Sequence, residues 1–270
     1  MNLNLRILVR GTNDVASAVA HALFRSGYAV ALHDAPLPTA TRRQMAFTDA
    51  IFDGKVTLEQ VEAVRLDHLA RLRGMLVQPR CIPVVVCDFK RLLDVMHPQV
   101  LVDARMRKHS HPANQRSLAS LIIGLGPNFI AGETVHLAIE TGWGESLGKV
   151  VQHGPTNPLA GEPKTIEGHS RDRYVYAPGS GKFETDLQSG ALVSQGQLVA
   201  RIGDTPLHAP ISGVLRGLTH SGVPMEEKTK VIEIDPRSDA PQISGIAERP
   251  AKIAQGVLGA IQLWEQAHVD

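Results

Sequence analysis

Apolar residues in the first part of the chain switch between two periods. "RILV", residues 6–9, is a short apolar run that reads as a buried strand closed by Gly11. From Asp14 the positions Val15, Val19, Leu23 and Ala16, Ala20, Phe24 recur every four residues, which predicts a helix with one buried face. Asn13 or Asp14 suits its N-cap, and Gly27 suits its end. "YAVALHD" is then a second buried strand that finishes on Asp34. Strand, glycine turn, helix, strand and closing acid together describe a βαβ dinucleotide-binding unit.

Further along, residues 56–76 fit either one helix or a strand followed by a helix. "IPVVVCD" predicts a strand, "FKRLLDVMH" a short helix stopped before Pro98, and "QVLVDARM" another parallel strand. Strands alternating with helices predict a doubly wound sheet, whose ligands gather at the carboxyl ends of its strands. Asp103, Arg105 and Lys108 fall at such an end. In the middle, "LIIGLGPNFIAGETVHLAIETGWGESLGKVV" combines a buried strand, a glycine-proline turn and a second strand. Val135, Leu137 and Ile139 alternate there with polar positions, so His136 and Glu140 share a face about 13 Å apart and can line one cleft. Residues 153–173 are rich in Pro, Gly and polar residues and read as an exposed connection.

The second half repeats itself. "APGSGKFETDLQSGALVSQGQLVARI" from Ala177 aligns without a gap on "APISGVLRGLTHSGVPMEEKTKVIEI" from Ala209, at an offset of 32, with eight of 26 positions identical. This predicts two similar β-halves around one core, with the "SG" pairs turning hairpins. The tail from Pro250 reads as a helix whose stripe Ile253, Val257, Ile261 and Trp264 packs on the first domain or on a second copy of the chain. The domain plan is therefore a Rossmann-like βαβ domain over 1–120, a Gly-rich loop, strand pair and linker over 121–172, the β-repeat over 173–237 and a terminal helix over 238–270.

Candidate chemistry concentrates at the first turn and the strand ends. A pyrophosphate at the turn would meet backbone amides and a helix N-terminus, contributed by Gly11, Asn13, Asp14 and Ser17, with Asp34 placed for a ribose hydroxyl. Asn13 and Ala16 stand where the usual fingerprint has its second and third glycines, and a side chain at 13 crowds that approach. Arg42 and Arg43 are placed to hold a phosphate, or form a solvated surface pair. Gly124, Gly126 and Gly132 let a loop approach a ligand closely. The pair His109 and His111 is too sparse to predict a metal site, and Cys81 and Cys87 read as core thiols.

Composition narrows the field. A net charge of +1 and an aromatic content of 4% argue against a nucleic-acid platform or an anionic membrane partner. No run of about 18 apolar residues predicts a membrane span, and the start lacks the layout of a secretory signal, so a cytoplasmic protein is expected.

Two resemblances sharpen these expectations. Residues 174–236 resemble the barrel-sandwich hybrid of biotinyl and lipoyl carrier domains, but the joining stretch "RIGDTPLHAP" has no lysine to modify, so neither biotin nor lipoate is expected. Nearly end to end, through "RGTNDVAS", "PTATRRQMAFTDAIFDG", "VLVDARMRK", "IIGLGPNFIAGETVHLAIET" and "LGKVV", the chain is similar to the YqeB-like accessory proteins of the selenium-dependent molybdenum hydroxylase system. That resemblance implies an α/β Rossmann-like domain, a small all-β barrel-sandwich hybrid and a C-terminal helix. It further implies a role in maturing a molybdenum hydroxylase, with a pterin-type (molybdopterin) cofactor or a nucleotide bound between the Rossmann-like domain and the Gly-rich loop. The chain departs from the family at Thr12 and Asn13, at Asn128, and at Trp143, Gly144 and Glu145, which points to a different ligand or client. The rival expectations are an NAD(P)-dependent oxidoreductase, for which no Tyr-x-x-x-Lys pair is present, and a docking module for a client enzyme or a homo-oligomer.

Overall fold

The computed structural model describes residues 5–107, 110–159, 163–237 and 242–268. Strand β1 (Arg6–Arg10), helix α1 (Asp14–Arg25) and strand β2 (Ala29–His33) form the expected βαβ unit, with β1 and β2 parallel. After a short helix α2 (Asp49–Asp53), residues that left helix and strand undecided form a hairpin, β3 (Lys55–Leu58) and β4 (Val61–Leu66), followed by α3 (Leu72–Val77). The two-residue turn holds Glu59 and Gln60 at φ 43° and 68°, the geometry that suits a right-twisted hairpin but that Gly or Asn normally signals. Then come β5 (Ile82–Val85), α4 (Phe89–Met96), β6 (Val100–Asp103), β7 (Leu121–Leu125), β8 (Ile130–Ala131), β9 (Leu137–Ile139), β10 (Val150–Val151) and β11 (Gly154–Pro155).

Nine of these strands make one sheet in the order β10-β9-β7-β6-β1-β2-β5-β4-β3. Its six strands from β9 to β5 are parallel and run in the 6-5-4-1-2-3 order of a doubly wound nucleotide-binding sheet. The segment expected to stand apart from residue 121 onward is part of this sheet, because β6 and β7 pair in parallel across that boundary. Both faces are covered, so the strands are apolar on both. Ile7, Val9, Val30 and Leu32 pack toward α1, while Leu8, Ala29 and Ala31 pack toward α3 and α4. The same double cover buries Val135, Ala138 and Ile139, and the half-polar strand expected at 134–141 is not found.

The second module is antiparallel: β12 (Tyr174–Tyr176), β13 (Gly181–Glu184), β14 (Leu192–Val193), β15 (Leu198–Ile202), β16 (Thr205–His208), β17 (Gly213–Leu218), β18 (Pro224–Met225) and β19 (Lys230–Asp235). The 32-residue offset carries β12 onto β16, β13 onto β17, β14 onto β18 and β15 onto β19. The two sheets, β12-β19-β17-β14 and β16-β15-β13-β18, exchange under that mapping. Each half lends its short middle strand to the other half's sheet, β14 to β17 and β18 to β13. Phe183, Ile202, Leu215, Val231 and Ile234 fill the shared core.

Helix α5 (Glu248–His268) returns to the first module, burying Ile253, Val257 and Ile261 against α1 and the β9–β10 loop. Gly256 makes that approach possible, since a Cβ there would overlap the Gly148 carbonyl. Among the described residues no helix is long and apolar enough to cross a membrane.

Candidate functional site

The first turn is where a doubly wound sheet takes a pyrophosphate, and here it is filled from within. Gly11, at φ +110°, donates its amide to His33 O, and a Cβ there would sit 3.0 Å from Ala104 O. Asn13 caps α1: its Oδ1 accepts from the amides of Val15 (3.0 Å) and Ala16 (3.1 Å), and its Nδ2 donates to Ala104 O (2.9 Å). The carboxamide thus occupies the donors that an anion would use. Thr12 donates its hydroxyl to Asp34 Oδ2 (2.7 Å), and Asp34 Oδ1 accepts from Ala35 N. Ser17, fully buried, donates to Thr12 O and accepts from Phe47 N, pinning the turn to the segment before α2.

Beside this turn, at the carboxyl ends of β1, β2, β5 and β6, lies a cleft of about 470 Å³. Its wall includes Arg10, His33, Asp34, Cys87, Arg105 and Arg107. Arg105 makes a two-pronged contact with Asp103, 2.9 Å and 2.5 Å, and Gln115 adds a third bond to the same carboxylate at 2.9 Å. Burial opposes that charge, but Arg105 prevails and holds the Asp103 carboxyl below its ordinary range. Arg10 differs. Its guanidinium lies 3.5 Å above the Phe89 ring, its buried Nε has no hydrogen-bond partner, and no carboxylate pairs with it among the described residues. Burial, then the neighbouring Arg105, lower the Arg10 pKa to about 10. His33 faces the Cys87 carbonyl through Nε2 at 2.9 Å, and burial lowers its pKa, which favours the neutral ring with Nδ1 open as an acceptor. Burial likewise raises the Cys87 thiol. The arrangement presents an unpaired guanidinium, a backed one and a neutral imidazole: chemistry for holding an anionic group.

No family model matches the chain. An uncharacterized protein of Escherichia coli K12, YqeB, is 34% identical over 257 residues. The chain is similar to that protein over nearly its whole length. The match covers 95% of this chain and 47% of YqeB, so the chain spans about half the length of that relative. Among solved structures, an aspartoacylase family protein from Mesorhizobium loti aligns over 87% of this chain and 86% of its own, at 11% identity and a TM-score of 0.27. The ectoine utilization protein EutE (DoeB) from Ruegeria pomeroyi, in its product-bound structure, aligns over 31% and 27%, at 22% identity and a TM-score of 0.22. Likeness at that level carries no functional argument.

The expected site residues separate into three groups. Asp34, Arg105 and, behind it, Asp103 reach the cleft. Gly11, Asn13 and Ser17 belong to the neighbouring turn, outside the cleft lining, and spend their donors on the fold itself. The remainder lie elsewhere. Gly124 makes room for the Phe129 ring, Gly126 O accepts from the Thr156 hydroxyl, and Gly132 O accepts from Arg116. His136 Nδ1 accepts from Ile122 N, and Glu140 Oε1, 7% exposed, accepts from Asn157 N. These two side chains brace backbone rather than line one cleft, because the strand between them is covered on both faces. Arg43 is tied to Asp49 at 2.6 Å. Lys108 and His109 lie outside the described residues.

Arg42 is neither free nor solvated. It binds both oxygens of Glu233 at 3.0 Å and Asp14 at 2.9 Å, joining α1 to the β-module. Glu233, fully buried on β19, also accepts from Arg173 Nη1 (2.8 Å) and Lys230 Nζ (2.8 Å). Burial would raise its pKa, but Lys230 and Arg42 hold the carboxyl well below the usual range. Around this knot Thr41 O accepts from Leu218 N, and the Phe52 and His220 rings stack at 3.9 Å. A single sequence shows neither Arg10 nor this network as special, since a buried charge is spelled like a solvated one. The one available signal is the repeat, which pairs exposed Glu184 and Arg201 with Arg216 and Glu233, charges inverted.

Proposed function

We propose that the chain binds a phosphate-bearing cofactor, of nucleotide or pterin (molybdopterin) type, in the cleft at the ends of β1, β2 and β5. In this reading it acts as an accessory protein that matures a molybdenum hydroxylase or a related pterin-dependent enzyme. The observation that carries the ligand class is Arg10: a partly buried guanidinium without a carboxylate at the switch point of the parallel sheet. An anion there would meet Arg10 and Arg107, with Arg105 held in place by Asp103. The accessory role rests on the resemblance described above, and a client hydroxylase is the partner it supplies. The β-module is read as a barrel-sandwich hybrid without its arm, a reading that the exchanged middle strands support. Where carrier domains present a lysine, the β15–β16 turn presents Gly203 and Asp204. The six-strand order favours a second reading, an NAD(P)-dependent oxidoreductase, and the Asn13 side chain over the helix N-terminus stands against it.

The test is a thermal-shift panel of NAD(H), NADP(H), nucleoside triphosphates and pterins on the wild type and Arg10→Met. A ligand at about 100 times its Kd adds about 2.7 kcal/mol, which moves the midpoint by several degrees. The expected result is a shift with a phosphate-bearing pterin or nucleotide that Arg10→Met abolishes. A response to nicotinamide dinucleotides alone favours the oxidoreductase, and silence throughout overturns the cofactor-binding reading.

A further inference from the structure

The centre of the interface between the two modules carries more cations than its carboxylates can satisfy. Arg42, Arg173, Arg216 and Lys230, four cations, surround two carboxylates, Glu233 and Asp14. Asp235 does not restore the balance, because Arg237 takes both its oxygens at 2.9 and 2.5 Å. Arg216 is the residue left over. It is 7% exposed, yet it makes no hydrogen bond among the described residues. Its nearest carboxylate oxygens stand at 3.7 Å (Glu233) and 3.9 Å (Asp235), beyond hydrogen-bond reach. Arg173, 2% exposed, likewise keeps an unpartnered Nε.

This placement is built into the strand. The pairing of β17 with β19 shifts between Leu215 and Gly217, so Arg216 is the extra residue of a β-bulge, a device that re-aims a side chain. Two carboxylates flank this guanidinium at ion-pair distance without hydrogen-bonding to it, and its buried Nε stays unpartnered, a costly state that folded proteins avoid for nearly all such groups. Lys230 and Arg42, with side chains 28% and 20% exposed, are the edge of the cluster nearest solvent.

We infer that this interface is an anion site, completed by a small tetrahedral oxyanion of the phosphate or sulfate class with Arg216 as its anchor. The guanidinium fork matches two oxygens of such an ion, and the surrounding cations supply the charge that Glu233 and Asp14 leave uncompensated. A free ion and a terminal phosphoryl group both offer the oxygens that this fork would bind. An ion held there bridges both modules, so it stabilises their docked arrangement and has no counterpart in the unfolded chain. The site is separate from the cleft at Arg10.

The experiment uses the full chain and inorganic phosphate. Thermal midpoints are measured along a phosphate titration against sodium chloride at matched ionic strength. The wild type is expected to gain several degrees, saturably, in phosphate alone. Arg216→Met should lose that response and melt no lower than wild type in chloride, since it removes an unsatisfied charge. Arg216→Lys, which keeps the charge without the fork, should need several-fold more phosphate, and it carries the test should the Met variant fail to fold. The titration is repeated in the Arg10→Met background, so that the cleft at Arg10 cannot supply the response, and Arg201→Gln, at the exposed counterpart of Glu233, should respond like its parent. Equal midpoints in the two salts overturn the inference. So does a phosphate response in the Arg10→Met background that survives Arg216→Met or disappears with Arg201→Gln. A phosphate ester that matches free phosphate identifies a terminal phosphoryl group as an acceptable source, and one that fails restricts the site to the free ion.

Discussion

The two halves of the β-module share one backbone and put it to opposite uses. Glu184 and Arg201 face each other across β13 and β15, both exposed, where water screens them. Their counterparts 32 positions later, Arg216 and Glu233, sit on β17 and β19 at 7% and 0% exposure, pressed against the parallel-sheet module. The first pair is decoration of a solvated face. The second is the point at which Arg42 and Asp14 reach across from the other module. The backbone did not have to change to create an interface. Burial of one face, with the charges inverted, was sufficient.

The comparison can be broken most forcefully at Glu233. Glu233→Gln removes the carboxylate that Arg42, Arg173 and Lys230 share and leaves those cations facing one another. The expected loss is roughly 3–5 kcal/mol, the range for breaking one side of a buried ion pair, read as a fall in the urea midpoint. An effect no larger than that of an ordinary surface change would show that the network is solvated and the contrast false.

Acid sharpens the same point with a smaller expected effect. The Glu233 and Asp14 carboxyls lie below their ordinary values in the folded chain; burial opposes this, but Lys230 and Arg42 dominate at Glu233 and Arg42 at Asp14. A depressed folded pKa contributes stability that is complete above the unfolded carboxylate range, about 4. It is lost as pH falls through the folded values. Urea midpoints between about pH 6 and pH 3 should therefore decline more steeply for wild type than for Glu233→Gln. Parallel declines would remove Glu233 from the account. The smallest expected effect is at the exposed pair: Arg201→Gln should leave the urea midpoint unchanged, and a clear loss would mean that the first half also has a partner face.

Much of the fold was legible because it is written in periods. The four-residue recurrence from Val15 to Phe24 marks α1, and the offset of 32 aligns every strand of one half with its counterpart. The β3–β4 hairpin was not legible, since its turn holds Glu59 and Gln60 at positive φ without the residues that announce one. At the site, Asp34 and Arg105 were legible from their position at strand ends. Arg42 and Arg43 were expected to hold a phosphate or to form a solvated surface pair and instead meet carboxylates, because the segment carrying Arg42 crosses to a module that no local pattern connects to it. His136 and Glu140 alternate as if half-exposed, but a neighbouring strand and covering elements on both faces turn them toward backbone.

The exchange of β14 and β18 has a consequence for descent. A single unit of this repeat would leave β13 without β18, or β17 without β14. To complete both sheets it would need a second copy, at a population set by its concentration. Joining two copies through the β15–β16 turn makes the encounter intramolecular, with a fixed effective concentration in the millimolar range or above. Once joined, the copies are free to diverge, because neither must any longer recognise itself. One copy could acquire an inverted charge pair and a foreign surface to bind, while the other remained in water.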